Sequence, residues 1–224
     1  MSDEPSGSRP VKVRDIVIVT AIALFVVALD VVMIFLYDQM VTALVVVLAA
    51  DFSICLIVGV AGIYFASRVG FPLWWSPSTD SPRSQQTSFI TVLFGVTVVV
   101  GGTLLVFYRI IWSPMLQWYA SFTLGTAIAF SLKNALYSEI LFRLFIFSLI
   151  VWIGDRLSSR KYSLILGAIA SAFLGSFQGL LFSAPLFLIG LLSVYIYYQR
   201  GLLPAVLVRF LAGAVPFIII FTML

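Results

Sequence analysis

The chain has 224 residues, of which 62% are hydrophobic and 10% charged, with 13 Lys and Arg, 9 Asp and Glu and no histidine. An ordinary soluble domain is roughly 25% charged, and the mean hydropathy here is +1.15. These figures exclude a soluble enzyme, a nucleic-acid-binding domain and a disordered chain, and they predict an all-α, polytopic transmembrane helical bundle. The net charge of +4 is scattered over short polar breaks, as membrane topology requires, so nucleic acid is not an expected partner.

In chain order, residues 1–15 are polar, short and Pro/Gly-containing, and read as a mobile tail. Residues 16–224 read as a single transmembrane domain. Its first apolar run, 16–37, is too long for a secretory signal core and is followed by no small-x-small cleavage site. A membrane-crossing helix needs about 20 apolar residues. Candidate spans are 16–37, 41–66, 87–108, 118–134, 137–154, 163–181, 184–199 and 202–224. The clearest break, 67–86, carries three prolines and a Trp pair suited to a membrane–water interface.

Orientation follows from the basic residues. They fall in the tail (Arg9, Lys12, Arg14), in 67–86 (Arg68, Arg83), in 155–162 (Arg156, Arg160, Lys161) and at Arg200. Placing all four groups in the cytoplasm requires an even number of crossings between 87 and 154. Segment 118–134, ending in Lys133 and Asn134, would then be re-entrant or interfacial, and the total is seven or eight spans with a cytoplasmic N-terminus. In 163–181, Gly167, Ser171, Gly175 and Gly179 recur every four residues, a small-residue stripe that predicts close helix contact and a central position. Ser183 and Pro185 predict the start of the next helix, and Pro216 a kink in the last.

Ionisable groups inside spans are costly, and each is a functional candidate. Glu139 precedes Arg143 by four residues in YSEILFRLFIF, which puts both on one helical face. They fit either a carboxylate that activates water or an ion pair tying the helix to its neighbours. Asp30 and Asp51 are expected to answer Arg209, as a structural pairing or as a proton or ion relay. Lys133 is expected to snorkel. Gln178 reads as a hydrogen-bonding link between helices. Cys55, the single cysteine, reads as a small core residue.

The order of these features has a likeness. Glu139-x-x-x-Arg143 is followed by a small-residue-rich span holding Gln178, and then by YIYYQRGLLPAVLVR, ending at Arg209. Over about residues 130–215 this resembles the CPBP family of intramembrane proteases, also called the CAAX-protease and bacteriocin-processing (Abi) family. The family's EExxxR motif falls on Ser138, Glu139 and Arg143. The histidine of its FxxxH motif falls on Gln178, with Leu174 at the phenylalanine. The histidine of its third motif falls on Arg209, with Gly213 at the last position.

The resemblance implies a membrane bundle in which the glutamate activates water and the two histidines assist it and stabilise the oxyanion. This chain has neither histidine. Gln178 cannot take up a proton near neutral pH, and Arg209 could donate to an oxyanion or pair with Glu139 but cannot act as a base. Losing one general acid–base group typically costs about 10²–10⁴-fold in rate. The expectation is therefore a pseudoprotease in the cell membrane that binds a membrane segment, a prenylated or hydrophobic peptide, or a partner membrane protein. The alternatives are a divergent peptidase using Glu139, with Ser138 and Gln178 positioning water, and a small transporter or assembly subunit. No metal or cofactor is expected.

Overall fold

The computed structural model describes residues 10–37, 44–74, 123–178 and 181–223. The predicted span 87–108, most of the 67–86 break and the tail up to Arg9 lie outside these residues, as does Gly179. The described chain is almost wholly helical, in keeping with a composition that must satisfy its backbone hydrogen bonds internally in lipid. Its helices are α1 (Val13–Tyr37), α2 (Leu44–Arg68), α3 (Leu124–Leu157), α4 (Arg160–Leu174), α5 (Ala184–Arg200) and α6 (Leu202–Met223). A two-residue-per-strand antiparallel hairpin, β1 (Phe177–Gln178) and β2 (Leu181–Phe182), stands between α4 and α5, with Gln178 paired to Leu181. By length and apolarity, α1, α2 and α3 are candidate membrane spans.

Two predicted boundaries move. The part of segment 118–134 that is described, from Leu124, and segment 137–154 lie in one unbroken helix of 34 residues. The polar Lys133–Asn134 step does not end the helix because Lys133 is taken up by acidic partners. Thr123 starts α3: its backbone is extended and its hydroxyl accepts from Thr126 N at 3.1 Å. The second change is at α4, which stops at Leu174, so Gly175 caps the helix and Gln178 lies in the hairpin. Gly167 and Ser171 do face inward, against Phe147 and Arg143, as small residues permit. The central helix, however, is α3, which packs against α1, α2, α4, α5 and α6. The opposite side of α4 exposes Leu166 and Ile169.

Two other expectations hold. Ser183 and Pro185 open α5, and Cys55 is buried. Helix α6 continues through Pro216 to Met223. Helix α1 begins at Val13 and takes in Asp15, the last residue assigned to the tail.

The core lies where α1 and α2 meet the middle of α3, around Val19, Ile63, Ile140, Leu144 and Phe147. Gly62 lets α2 approach α3 to backbone contact: a Cβ there would sit 2.9 Å from the carbonyl carbon and oxygen of Leu144.

The described members of the four basic groups are gathered at one end of the bundle by the segment after α2. Trp74 donates from its indole N–H to Asp15 at 2.8 Å, while the carbonyls of Leu73 and Trp74 accept from Leu202 and Leu203 N, both at 3.1 Å. These bonds satisfy the first amides of α6, which a helix leaves unpaired. Phe71 stacks on Phe147 at 5.1 Å, and Arg160 donates to the Val69 carbonyl at 2.7 Å while pairing with Asp155. Lys12, Arg14, Arg68, Arg156, Arg160, Lys161 and Arg200 therefore share one end.

Candidate functional site

Glu139 and Arg143 lie at mid-length of α3. From Ile140 to Phe147 the helix adopts a wider π-helical turn, a feature common at functional sites. Both side chains are enclosed, and Nε of Arg143 stands 3.5 Å from Oε2 of Glu139. At that separation the contact is an ion pair without a hydrogen bond; neither carboxylate oxygen finds a hydrogen-bond donor among the described residues. Arg143 continues across to α4, donating from Nη1 to the Ser171 carbonyl at 3.3 Å. Its other terminal nitrogen lies against Gly190 of α5, where an added Cβ would meet it at 3.2 Å.

Arg209, on α6, reaches the same place from the other side. Its Nη2 donates to the Gly175 carbonyl at 3.5 Å, one turn beyond Ser171. Two guanidinium groups thus address the carbonyl end of α4, where the helix dipole favours cations by about 0.3–1 kcal/mol each, and more when partly buried. Among the described residues Glu139 forms an ion pair with Arg143. Gln178 follows Gly175 by three residues on the hairpin, and its side chain lies outside the described set. Ser138 turns its hydroxyl back to the Ala135 carbonyl at 3.2 Å, away from any role at the carboxylate. The structure thus brings Arg143 and Arg209 to one turn of α4, with Glu139 paired to Arg143.

A second charged cluster lies elsewhere. Lys133 of α3 bridges Asp30 of α1 and Asp51 of α2; the Nζ–Oδ2 distance to Asp51 is 2.7 Å, and the contact to Asp30 is closer still. This corrects two expectations: the aspartates answer Lys133 rather than Arg209, and Lys133 does not snorkel. Asp30 is 17 residues from the start of α1 and Asp51 is 17 from the end of α2. At 1.5 Å per residue both lie about 25 Å from the basic end, which is why two antiparallel neighbours present them together.

Comparison of the chain with family models, with curated proteins and with solved structures gave no match. Among the described residues no group of three or more His, Cys, Asp or Glu side chains could hold a metal ion.

Sequence reasoning identified Asp30, Asp51 and Lys133 singly but did not join them. The equal distance of each aspartate from its end of a helical hairpin was the available signal. It also missed Asp15, fully enclosed beneath Trp74, for which a lone acidic residue at a span's edge gave no cue.

Proposed function

We propose that this chain is an integral membrane protein with a CPBP-like helical scaffold that has lost the hydrolytic chemistry. In this reading it uses the bundle to bind a membrane segment, a lipidated peptide or a partner membrane protein. The observation that carries the reading is the convergence of Arg143, paired with Glu139, and Arg209 on the Ser171–Gly175 turn. Their order along the chain is the order of the family's motifs, and the turn leads directly to Gln178. A general base must reach its water. The Glu139 carboxylate is enclosed and faces a permanent cation, which supports a structural rather than a hydrolytic role. Arg209 at the histidine position serves as a cation at a helix C-terminus. These same features count against the divergent peptidase.

The finer topology in this proposal is seven spans. Merging the two segments around Lys133 leaves two candidate crossings between 87 and 154, the even number that the loop charges favour. The basic end then faces the cytoplasm, together with the N-terminus.

The test is incubation of purified protein with membrane-segment and prenylated peptides. Binding without cleavage is expected. Site-specific cleavage that disappears in Glu139→Ala would overturn the proposal.

A further inference from the structure

We propose that Arg68 and Arg156, set over the rings of Tyr64 and Trp152, bind the headgroup phosphate of one anionic phospholipid at the seam between α2 and α3. No residue is shared with the Glu139–Arg143 pair, so the proposal stands apart from the protease-like reading.

The first argument is placement. Helix α2 faces Ile140 at Gly59, Leu144 at Gly62 and Trp152 at Phe65. The two helices therefore run in the same direction and end side by side at the basic end. Phe65 packs against both Phe145 and Trp152, with ring centroids 6.0 and 5.1 Å away, and meets Tyr64 at 5.4 Å. One turn beyond these rings, the Arg68 guanidinium lies over Tyr64 at 5.3 Å and that of Arg156 over Trp152 at 3.8 Å. One arginine from each helix thus stands just past the same ring contact, and both side chains are exposed.

The second argument is donor geometry. A guanidinium laid on a ring uses its face and keeps the N–H groups along its edge for an acceptor. Among the described residues neither Arg68 nor Arg156 takes part in an ion pair, and the neighbouring carboxylate of Asp155 is taken up by Arg160. A phosphate accepts from two such edges at once, through charge-assisted bonds about twice as strong as neutral ones.

The third argument identifies the source of the phosphate. Ile57, Val60, Tyr64 and Arg68 recur every three or four residues along α2 and all are exposed, so an apolar stripe ends in a cation. A phospholipid has the same order, acyl chain and then phosphate, whereas a soluble phosphate matches the arginines alone. Tyr and Trp rings suit the headgroup layer. The other basic residues of this end favour an anionic headgroup over a zwitterionic one.

The experiment is native mass spectrometry of the purified full chain in detergent, titrated with phosphatidylglycerol or phosphatidylcholine. One phosphatidylglycerol is expected to bind at least about tenfold more tightly than phosphatidylcholine. In the double variant Arg68→Gln, Arg156→Gln that preference disappears. In Lys12→Gln, Lys161→Gln, which removes equal charge from exposed positions of the same end, it is kept. Each single arginine variant weakens phosphatidylglycerol binding on its own, which serves as the reading if the double variant fails to fold. Equal binding of the two lipids overturns the proposal, as does a preference that survives loss of both arginines. A preference that falls as far in the lysine variant also overturns it, since the general field of the basic end is then the cause. In a parallel thermal-unfolding measurement phosphatidylglycerol raises Tm and inorganic phosphate at the same concentration does not; an equal rise with inorganic phosphate overturns the assignment to a lipid.

Discussion

Nε of Arg143, in the π-helical stretch of α3, stands 3.5 Å from Oε2 of Glu139, the residue just before that stretch, with both side chains enclosed. An enclosed pair at this separation makes little positive contribution to stability, yet it is expensive to halve. Glu139→Leu leaves the guanidinium without its counter-charge and is expected to cost about 3–5 kcal/mol. Adding Arg143→Met should restore most of that loss. Unfolding in detergent measures both; a double variant as unstable as the single one would show that the pair is not the source of the effect.

The lysine between two aspartates follows the same logic with a larger imbalance. Lys133→Met leaves Asp30 and Asp51 facing each other and is expected to cost at least about 3–5 kcal/mol, read as loss of folded protein from the membrane fraction. Replacing both aspartates by asparagine in the same chain should recover accumulation.

Gly62 is a test of close helix approach that involves no charge. A methyl group there would meet the Leu144 backbone at 2.9 Å, and backbone cannot rotate away as a side chain can. Gly62→Ala should cost about 1–3 kcal/mol. The corresponding fall in Tm is about 2–4 °C for each kcal/mol.

Trp74→Phe keeps the ring but removes the indole donor to Asp15. A hydrogen bond to a charged group contributes about 1.5–3 kcal/mol. Because the Leu73 and Trp74 carbonyls accept from the first amides of α6, the change should be felt there. Hydrogen exchange at Leu202 and Leu203 is expected to accelerate, with amides in the middle of α3 unaffected.

Orientation can be read by labelling. In a Cys55→Ala background, Lys161→Cys at the exposed start of α4 should react with a membrane-impermeant maleimide only when the cytoplasmic face is open to it. Labelling from the outer face of intact cells would invert the proposed topology.

Apolar run length was a sound guide to α1, α2 and α5, because lipid demands internally bonded helices and the flanking breaks at Arg68, Ser183 and Gly201 are true ends. It misjudged α3. Lys133 and Asn134 read as a boundary only while the partners of the lysine are unknown, and those partners are about 80 and 100 residues away in sequence. It misjudged the end of α4 for a similar reason: a four-residue stripe of small residues continues in sequence past Leu174, whereas the backbone turns at Gly175 into a hairpin. Glu139 and Arg143 were legible as a pair from their four-residue spacing. Arg209 was expected at Glu139 or at the aspartates, since pairing rules favour opposite charges; the carbonyl end of α4 is an acceptor with no letter in the sequence. The docking of Phe71–Trp74 over the bundle end was equally hidden, in a stretch whose prolines and Trp pair read as a break at the membrane–water interface.

The π-helical stretch from Ile140 to Phe147 has a consequence for how α3 tolerates changes in length. Backbone bonds there step five residues instead of four, and the Ser148 hydroxyl likewise reaches back five, to the Arg143 carbonyl at 3.4 Å. Elsewhere in α3, deleting one residue throws every later side chain about 100° out of phase. Within this stretch a deletion lets the turn relax to ordinary α-helix, while Ser148–Leu157 keep their facing toward α4. The longest helix among the described residues therefore has one place where its reading frame in space can slip without disorder downstream, and that place carries Arg143.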